Sequence, residues 1–109
     1  HIVATIAQGA SQSGVIDLEG YQLAAIHMPS AWDAASITFL SAPTADGTFQ
    51  PVYADGIEVT EPVAAGRCCP VSANAVALAS LRFIKLRSSV AGTEVAQTAA
   101  RTITLSLKG

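Results

Sequence analysis

Arg101-Thr-Ile-Thr-Leu-Ser-Leu-Lys108 alternates without a break. Ile103, Leu105 and Leu107 fall on one side, and Thr102, Thr104 and Ser106 on the other. Successive side chains of a strand point to opposite faces, so this segment reads as a β-strand with one apolar and one polar face. Such strands belong to antiparallel sheets that pack on one side only. Ser36-Ile-Thr-Phe-Leu-Ser41 repeats the pattern with Ile37 and Phe39 inward. Leu81-Arg-Phe-Ile-Lys-Leu-Arg87 reads as another strand, with apolar residues on both faces. Tyr21 to Met28 is nearly continuous in apolar residues and suits a central strand ended by Pro29; it places His27 in phase with Leu23 and Ala25. Shorter candidates are Ile2 to Ala7, Val15 to Leu18, Phe49 to Tyr53, Ile57 to Thr60 and Arg67 to Val71.

Turn signals separate these runs. Asp46-Gly47 and Asp55-Gly56 each lie between strand candidates and predict hairpins, since Asp-Gly tolerates the left-handed backbone of tight β-turns. Gly9 to Gly14 and Ser88 to Ala100 read as loops, and Asn74 to Ser80 as one helical turn with Asn74 as its N-cap. The 21 alanines do not recur at helical spacing with a polar face, so they point to close packing rather than helix. The expectation is an all-β chain: an antiparallel β-sandwich of jelly-roll type with about eight short strands. Residues 1–14 are expected to form an N-terminal strand or arm, and residues 15–109 a single β-sandwich domain.

The 109 residues are one domain's worth of chain, 50% hydrophobic and 13% charged. That charged fraction is about half the usual ~25%. A net charge of −2 excludes a basic nucleic-acid binder held by phosphate contacts. No apolar run approaches the ~20 residues of a spanning helix. The N-terminal segment has no basic stretch before an apolar core, so no secretory leader is expected, and the absent initiator Met reads as processing. Charge is unevenly placed. Residues 1–61 hold seven acids and no Lys or Arg; residues 62–109 hold Glu94 and all six bases. The halves therefore carry −7 and +5. One reading pairs them across the sheets within the chain; the other docks an acidic face on a neighbour's basic face.

Motifs that carry chemistry are sparse. His1 and His27 are the only histidines, and no His or Cys spacing suits a metal. Asp46 and Asp55 are explained by turn chemistry before calcium. Cys68-Cys69 reads as two free thiols, because adjacent strand residues point to opposite faces. Ser30, His27 and Asp33 are close in sequence but straddle a strand end and Pro29, so His27 reads as structural and no catalysis is expected. No cofactor is expected. Trp32, the sole tryptophan, is either a lid on one end of the sheets or an exposed anchor for a partner or sugar.

Several phrases resemble known proteins. Val15-Ile-Asp-Leu-Glu-Gly20, the hairpin from Ser36 to Tyr53 around Asp46-Gly47, Leu81 to Leu86 and the closing strand resemble, in order, discoidin-like, galactose-binding-type β-sandwiches. Ile26-His-Met-Pro-Ser-Ala-Trp-Asp-Ala-Ala-Ser-Ile-Thr-Phe-Leu40 and the strand from Arg101 resemble small structural proteins of tailed bacteriophages. The second likeness is the narrower, since Met-Pro-x-x-Trp has no general folding explanation. It implies a virion protein made in the bacterial host cytoplasm: a head decoration or cement subunit, a head-fibre base or a tail component; with no catalytic motif present, a non-enzymatic capsid decoration or cement subunit is the expectation. Its partners would be the major capsid protein or other virion proteins, in a homo-oligomer or symmetric array, with no nucleic acid or membrane. The interface candidates are Ile2, Ile6, Trp32, Asp33, Arg82, Lys85 and Arg87. The alternative is a carbohydrate-binding or fibre module using Trp32 and the Asp46 and Asp55 turns.

Overall fold

A computed structural model describes all 109 residues. Twelve strands succeed one another: β1 (Ile2–Ile6), β2 (Ile16–Asp17), β3 (Gln22–His27), β4 (Ser36–Ala42), β5 (Gln50–Pro51), β6 (Tyr53–Ala54), β7 (Ile57–Glu58), β8 (Thr60–Glu61), β9 (Cys68–Pro70), β10 (Phe83–Val90), β11 (Thr93–Glu94) and β12 (Arg101–Lys108). One short helix, α1 (Ala75–Leu78), follows a 3-10 turn at Ser72–Asn74. Strand makes up 47% of the chain against 6% helix, and every strand pair is antiparallel, so the chain is all-β.

The alternating segment at the C-terminus sits where its pattern demands. β12 lies between β1 and β3, and β9 adds beyond β3 to complete a four-stranded sheet. Its Ile103 and Leu105 are fully buried while Thr102 is exposed. A second sheet is built on β10 and β4, paired over seven residues from Phe83–Ala42 to Ser89–Ser36. β2 and β11 flank β10, and β5 and β8 flank β4. Ala4, Ile6, Leu23, Ile26, Ile103 and Leu105 of the first sheet join Ile16, Ile37, Phe39, Ile84 and Leu86 of the second in one apolar cluster. Leu78 of α1 closes one side of it. Burying side chains of this size contributes about 1.5–3 kcal/mol each, which makes the shared cluster the main source of stability.

Residues 1–14 are built into this body. β1 pairs with β12 from Ile2–Leu105 to Ile6–Arg101 and sends Ala4 and Ile6 into the core. Four sequence readings need correction. The Phe49–Tyr53 and Ile57–Thr60 runs each break in two at Val52 and Val59: Val52 N–H donates to Phe39 O of β4 at 2.9 Å, while its carbonyl accepts from Val59 N–H at 2.9 Å. The expected loop from Ser88 begins instead as strand: β10 runs to Val90 and turns through Ala91 (φ 49°) and Gly92 (φ 82°) into β11. Asn74 stands at the helix N-cap position but makes no capping bond; its Nδ2 donates to Thr60 O at 3.1 Å and Glu61 Oε2 at 2.7 Å. Finally, His27 faces outward. Leu107 pairs with Leu23 and Ser106 with Ala25, so Ala24 is the extra residue of a β-bulge and its carbonyl accepts from Val71. The bulge lets Leu23 and Ile26, three apart, both point inward, and it shifts His27 to the exposed face.

The Asp55-Gly56 turn forms as expected. Both residues have positive φ, 53° and 77°, the geometry of a two-residue type I′ hairpin joining β6 to β7. Asp46-Gly47 also lies in a hairpin, joining the antiparallel pair β4 and β5, but through the longer loop of residues 43–49.

Phe39 has no exposed surface and lies at the centre of the cluster. Phe39→Ala should therefore lower unfolding free energy by about 3–5 kcal/mol in a urea titration, with little change in slope.

Candidate functional site

The sequence from Met28 to Ser36 crosses from the first sheet to the second, and its fold is dictated by one amide. Gln97 is fully buried. Its Oε1 accepts from Asp33 N–H at 2.9 Å and its Nε2 donates to Asp33 O at 3.2 Å, so the side chain pairs with a backbone as another strand would. The same Nε2 donates to Ser88 Oγ at 2.8 Å, and Oε1 also accepts from Arg101 Nε at 3.1 Å. Its own backbone N–H donates to Ala10 O at 2.9 Å and its carbonyl accepts from Gly9 N–H at 2.8 Å. Four segments distant in sequence meet here. An unpartnered buried amide would cost about 1–3 kcal/mol, whereas this one satisfies every group it has.

Asp33 completes the joint. Its Oδ1 accepts from Arg101 Nη2, from Thr98 Oγ1 at 3.0 Å and from Thr98 N–H at 3.3 Å. The Arg101 guanidinium, then the Thr98 donors, hold the Asp33 carboxyl below its ordinary value of 3.8. Two more carboxylates are held below theirs: Asp17 by Arg82 and the Glu19 amide, and Glu94 by the Ser11 hydroxyl and Gln12 amide.

With Asp33 pinned, Trp32 turns back on its own loop. Its Nε1 donates to Ala35 O at 3.1 Å, and its ring packs part-buried against the core. Trp32 is thus both lid and wall. Together with Ala34, Ala35, Pro62, Val63, Ala64, Ala65 and Val90 it lines an open apolar groove of about 390 Å³. Ser36 belongs to this groove and to a neighbouring concavity of about 360 Å³, bordered by Tyr53 and Ile57 with Thr38, Thr60 and Ser89. Val90, Tyr53 and Ile57 are 52%, 61% and 73% exposed, large values for apolar or aromatic side chains. Glu58, in the wall of that concavity, pairs with Arg87 Nη2, and Arg87 Nε donates to Thr38 Oγ1 at 3.0 Å, whereas Asp55 beside Ile57 is exposed and forms no ion pair. The result is an apolar groove beside a concavity lined with hydroxyls and the paired Glu58.

Among the sequence candidates, the structure brings Trp32 and Asp33 into one element, and only Trp32 lines the groove. Ile6 is fully buried and is a core residue, not a contact; Ile2 is half-buried against the same core. Arg82 bonds Asp17 through two nitrogens at 2.9 and 3.2 Å and lies over the Phe83 ring. Lys85 Nζ lies 4.7 Å from the Phe49 ring centroid, and Arg87 is engaged as above. All three ion pairs join an acid of residues 1–61 to a base of residues 62–109, so neutralisation within the chain absorbs much of the charge asymmetry. His27 Nε2 shares a 2.6 Å hydrogen bond with Ser106 Oγ and meets neither Ser30 nor Asp33. Cys68 and Cys69 are free thiols, the first exposed and the second half-buried. No group of three His, Cys, Asp or Glu side chains converges. Sequence reading missed Gln97, Val63 and Val90: an amide among Ala and Thr has no periodicity, and the other two are gathered by loops. Compared with family models, with curated proteins and with solved structures, the chain matches none.

Two outcomes follow. Gln97→Leu keeps volume but orphans the Asp33 N–H, the Asp33 carbonyl and Arg101 Nε, and should cost about 2–3 kcal/mol with faster amide exchange at Asp33. Lowered carboxyl pKa values mean that the unfolded chain takes up protons first. Melting temperature should therefore hold level near neutrality and fall once pH drops below about 4.5, the ordinary value for Glu94, and further below 3.8 for Asp17 and Asp33. Asp33→Asn should flatten that acid limb in a pH series followed by circular dichroism.

Proposed function

We propose that this chain is a non-enzymatic adhesive subunit of a tailed-bacteriophage virion, a decoration or cement protein that holds neighbouring shell proteins. The observation that carries the reading is the open apolar groove lined by Trp32, Val63 and Val90, continued by exposed Tyr53 and Ile57 at a concavity whose Glu58 is paired with Arg87. An exposed apolar patch flanked by polar residues marks a surface built to be covered by protein. The segment that resembles phage structural proteins, Ile26 to Leu40, supplies one wall of that groove and its only tryptophan. Met28 anchors it in the core, its N–H donating to Arg67 O at 2.8 Å, and Pro29 O accepts from Gly66 N–H at the same distance. The two sheets closing on one core favour, at finer detail, a β-sandwich of jelly-roll type with a rigid, low-charge exterior.

The mechanism is geometric. Each contact is modest, and repetition on a symmetric shell multiplies the contacts into avidity. The partners are the major capsid protein or another virion protein, and copies of this chain in a symmetric array. A second reading, a carbohydrate-binding module, is favoured by one feature: exposed Tyr53 beside the hydroxyls of Ser36, Thr38, Thr60 and Ser89. Sugar titration monitored by Trp32 fluorescence separates the two, since Trp32 shares Ser36 with that concavity.

Val63→Glu combined with Val90→Glu should reduce co-sedimentation with particles assembled without the chain by about tenfold or more. Val90 is 52% exposed whereas Val63 is half-buried against the core, so Val90→Glu alone should move the melting temperature by only a few degrees and serves as the control for folding of the double variant. Full occupancy by the double variant overturns the reading.

A further inference from the structure

The two sheets treat their edges differently. The second sheet ends in two-residue pieces, β5 and β8 on one side and β2 and β11 on the other. In the first, β9 is three residues long and ends in Pro70, which cannot donate to a ladder. β1 has none of these devices. Ile2-Val-Ala-Thr-Ile6 carries no charge, no proline and no glycine, and it pairs only with β12. On its other side a single bridge, from Ile6 to Ser13, covers one end. Along Ile2 to Thr5 no strand lies on that side, and Val3 is 52% exposed on the outer face. Natural sheets blunt such edges with lysine, proline or bulges, because a row of free backbone groups templates another strand.

We propose that β1 is a self-pairing edge, and that its occupant is β1 of a second copy of this chain. The proposal deepens the adhesive reading by naming one route of self-association, and it uses a surface distinct from the groove. A two-fold axis through Val3 sets Val3 opposite Val3 and Ile2 opposite Ala4 of the second copy. That register keeps the inward residues of both copies inward, since directly opposed residues share a face. It leaves Ile6 to its bridge with Ser13. Two four-stranded sheets become one of eight strands. An uncharged strand opposes itself without repulsion, whereas it offers an acidic or basic peptide nothing to pair with. One strand pair buries less than the ~1,200 Å² of a standard interface, so the dimer is weak and dependent on concentration.

Light scattering coupled to size exclusion, run on the purified chain from roughly 10 μM to 1 mM, tests this. The wild type should pass from one-chain to two-chain mass over that range, with amide protection in β1 rising alongside. Val3→Lys places two ammonium groups at the axis and should move the midpoint at least about tenfold higher, while Val3→Thr should leave it nearly unchanged. Circular dichroism of Val3→Lys should match wild type, because Val3 faces solvent. A wild type that stays single at every concentration overturns the proposal, as does a Val3→Lys dimer of undiminished strength. Particle attachment is read separately with the Val63 and Val90 variant, so either idea can fail while the other stands.

Discussion

One buried amide fixes the crossing between the two sheets. The strands would pair by backbone bonding and the core would close by apolar burial whatever residue stood at position 97, but the crossing from Met28 to Ser36 has no ladder of its own. Gln97 supplies it, pairing with both backbone groups of Asp33 while reaching Ser88 and Arg101. Because a dry amide must find partners or forfeit its hydration, the joint has one good arrangement. The groove inherits that rigidity, since Trp32 is the neighbour of Asp33 and turns back onto Ala35.

Charge follows the same economy. A chain with acids in one half and bases in the other has a strong incentive to fold its ends together, and the pairs Asp17–Arg82, Asp33–Arg101 and Glu58–Arg87 bring them together. The two more enclosed pairs lie beside the apolar face, where an unpaired ion would deter a partner. Arg82–Asp17 is largely solvated and contributes little. What remains outside includes Glu19, Asp46, Asp55, Arg67 and Lys108, exposed and in no ion pair.

Where side-chain periodicity carried the information, the fold was legible in the sequence. β12 is legible to the residue, β4 and β3 to within two, and the Asp55-Gly56 hairpin in its position. Reading failed where the chain departs from period two. The bulge at Ala24 leaves no trace in a run nearly continuous in apolar residues, so the period-two pattern places His27 on the wrong face. Ala91-Gly92 makes a tight turn, but alanine seldom adopts positive φ and gave no turn signal. Of the site, Trp32 was visible as a lone large aromatic in a loop. Val63, Val90 and Gln97 were not, because what unites them is contact across long sequence separations.

The neighbouring thiols of β9 have a consequence of their own. In an extended strand the sulfurs of Cys68 and Cys69 diverge to opposite sides, one in solvent and one against the interior. Oxidants or mercurials thus meet two unequal sulfurs on a single short strand, and an internal ring would require the backbone there to leave its sheet. The accessible one is left to bond outward, giving the molecule a single chemical handle at the rim opposite β1.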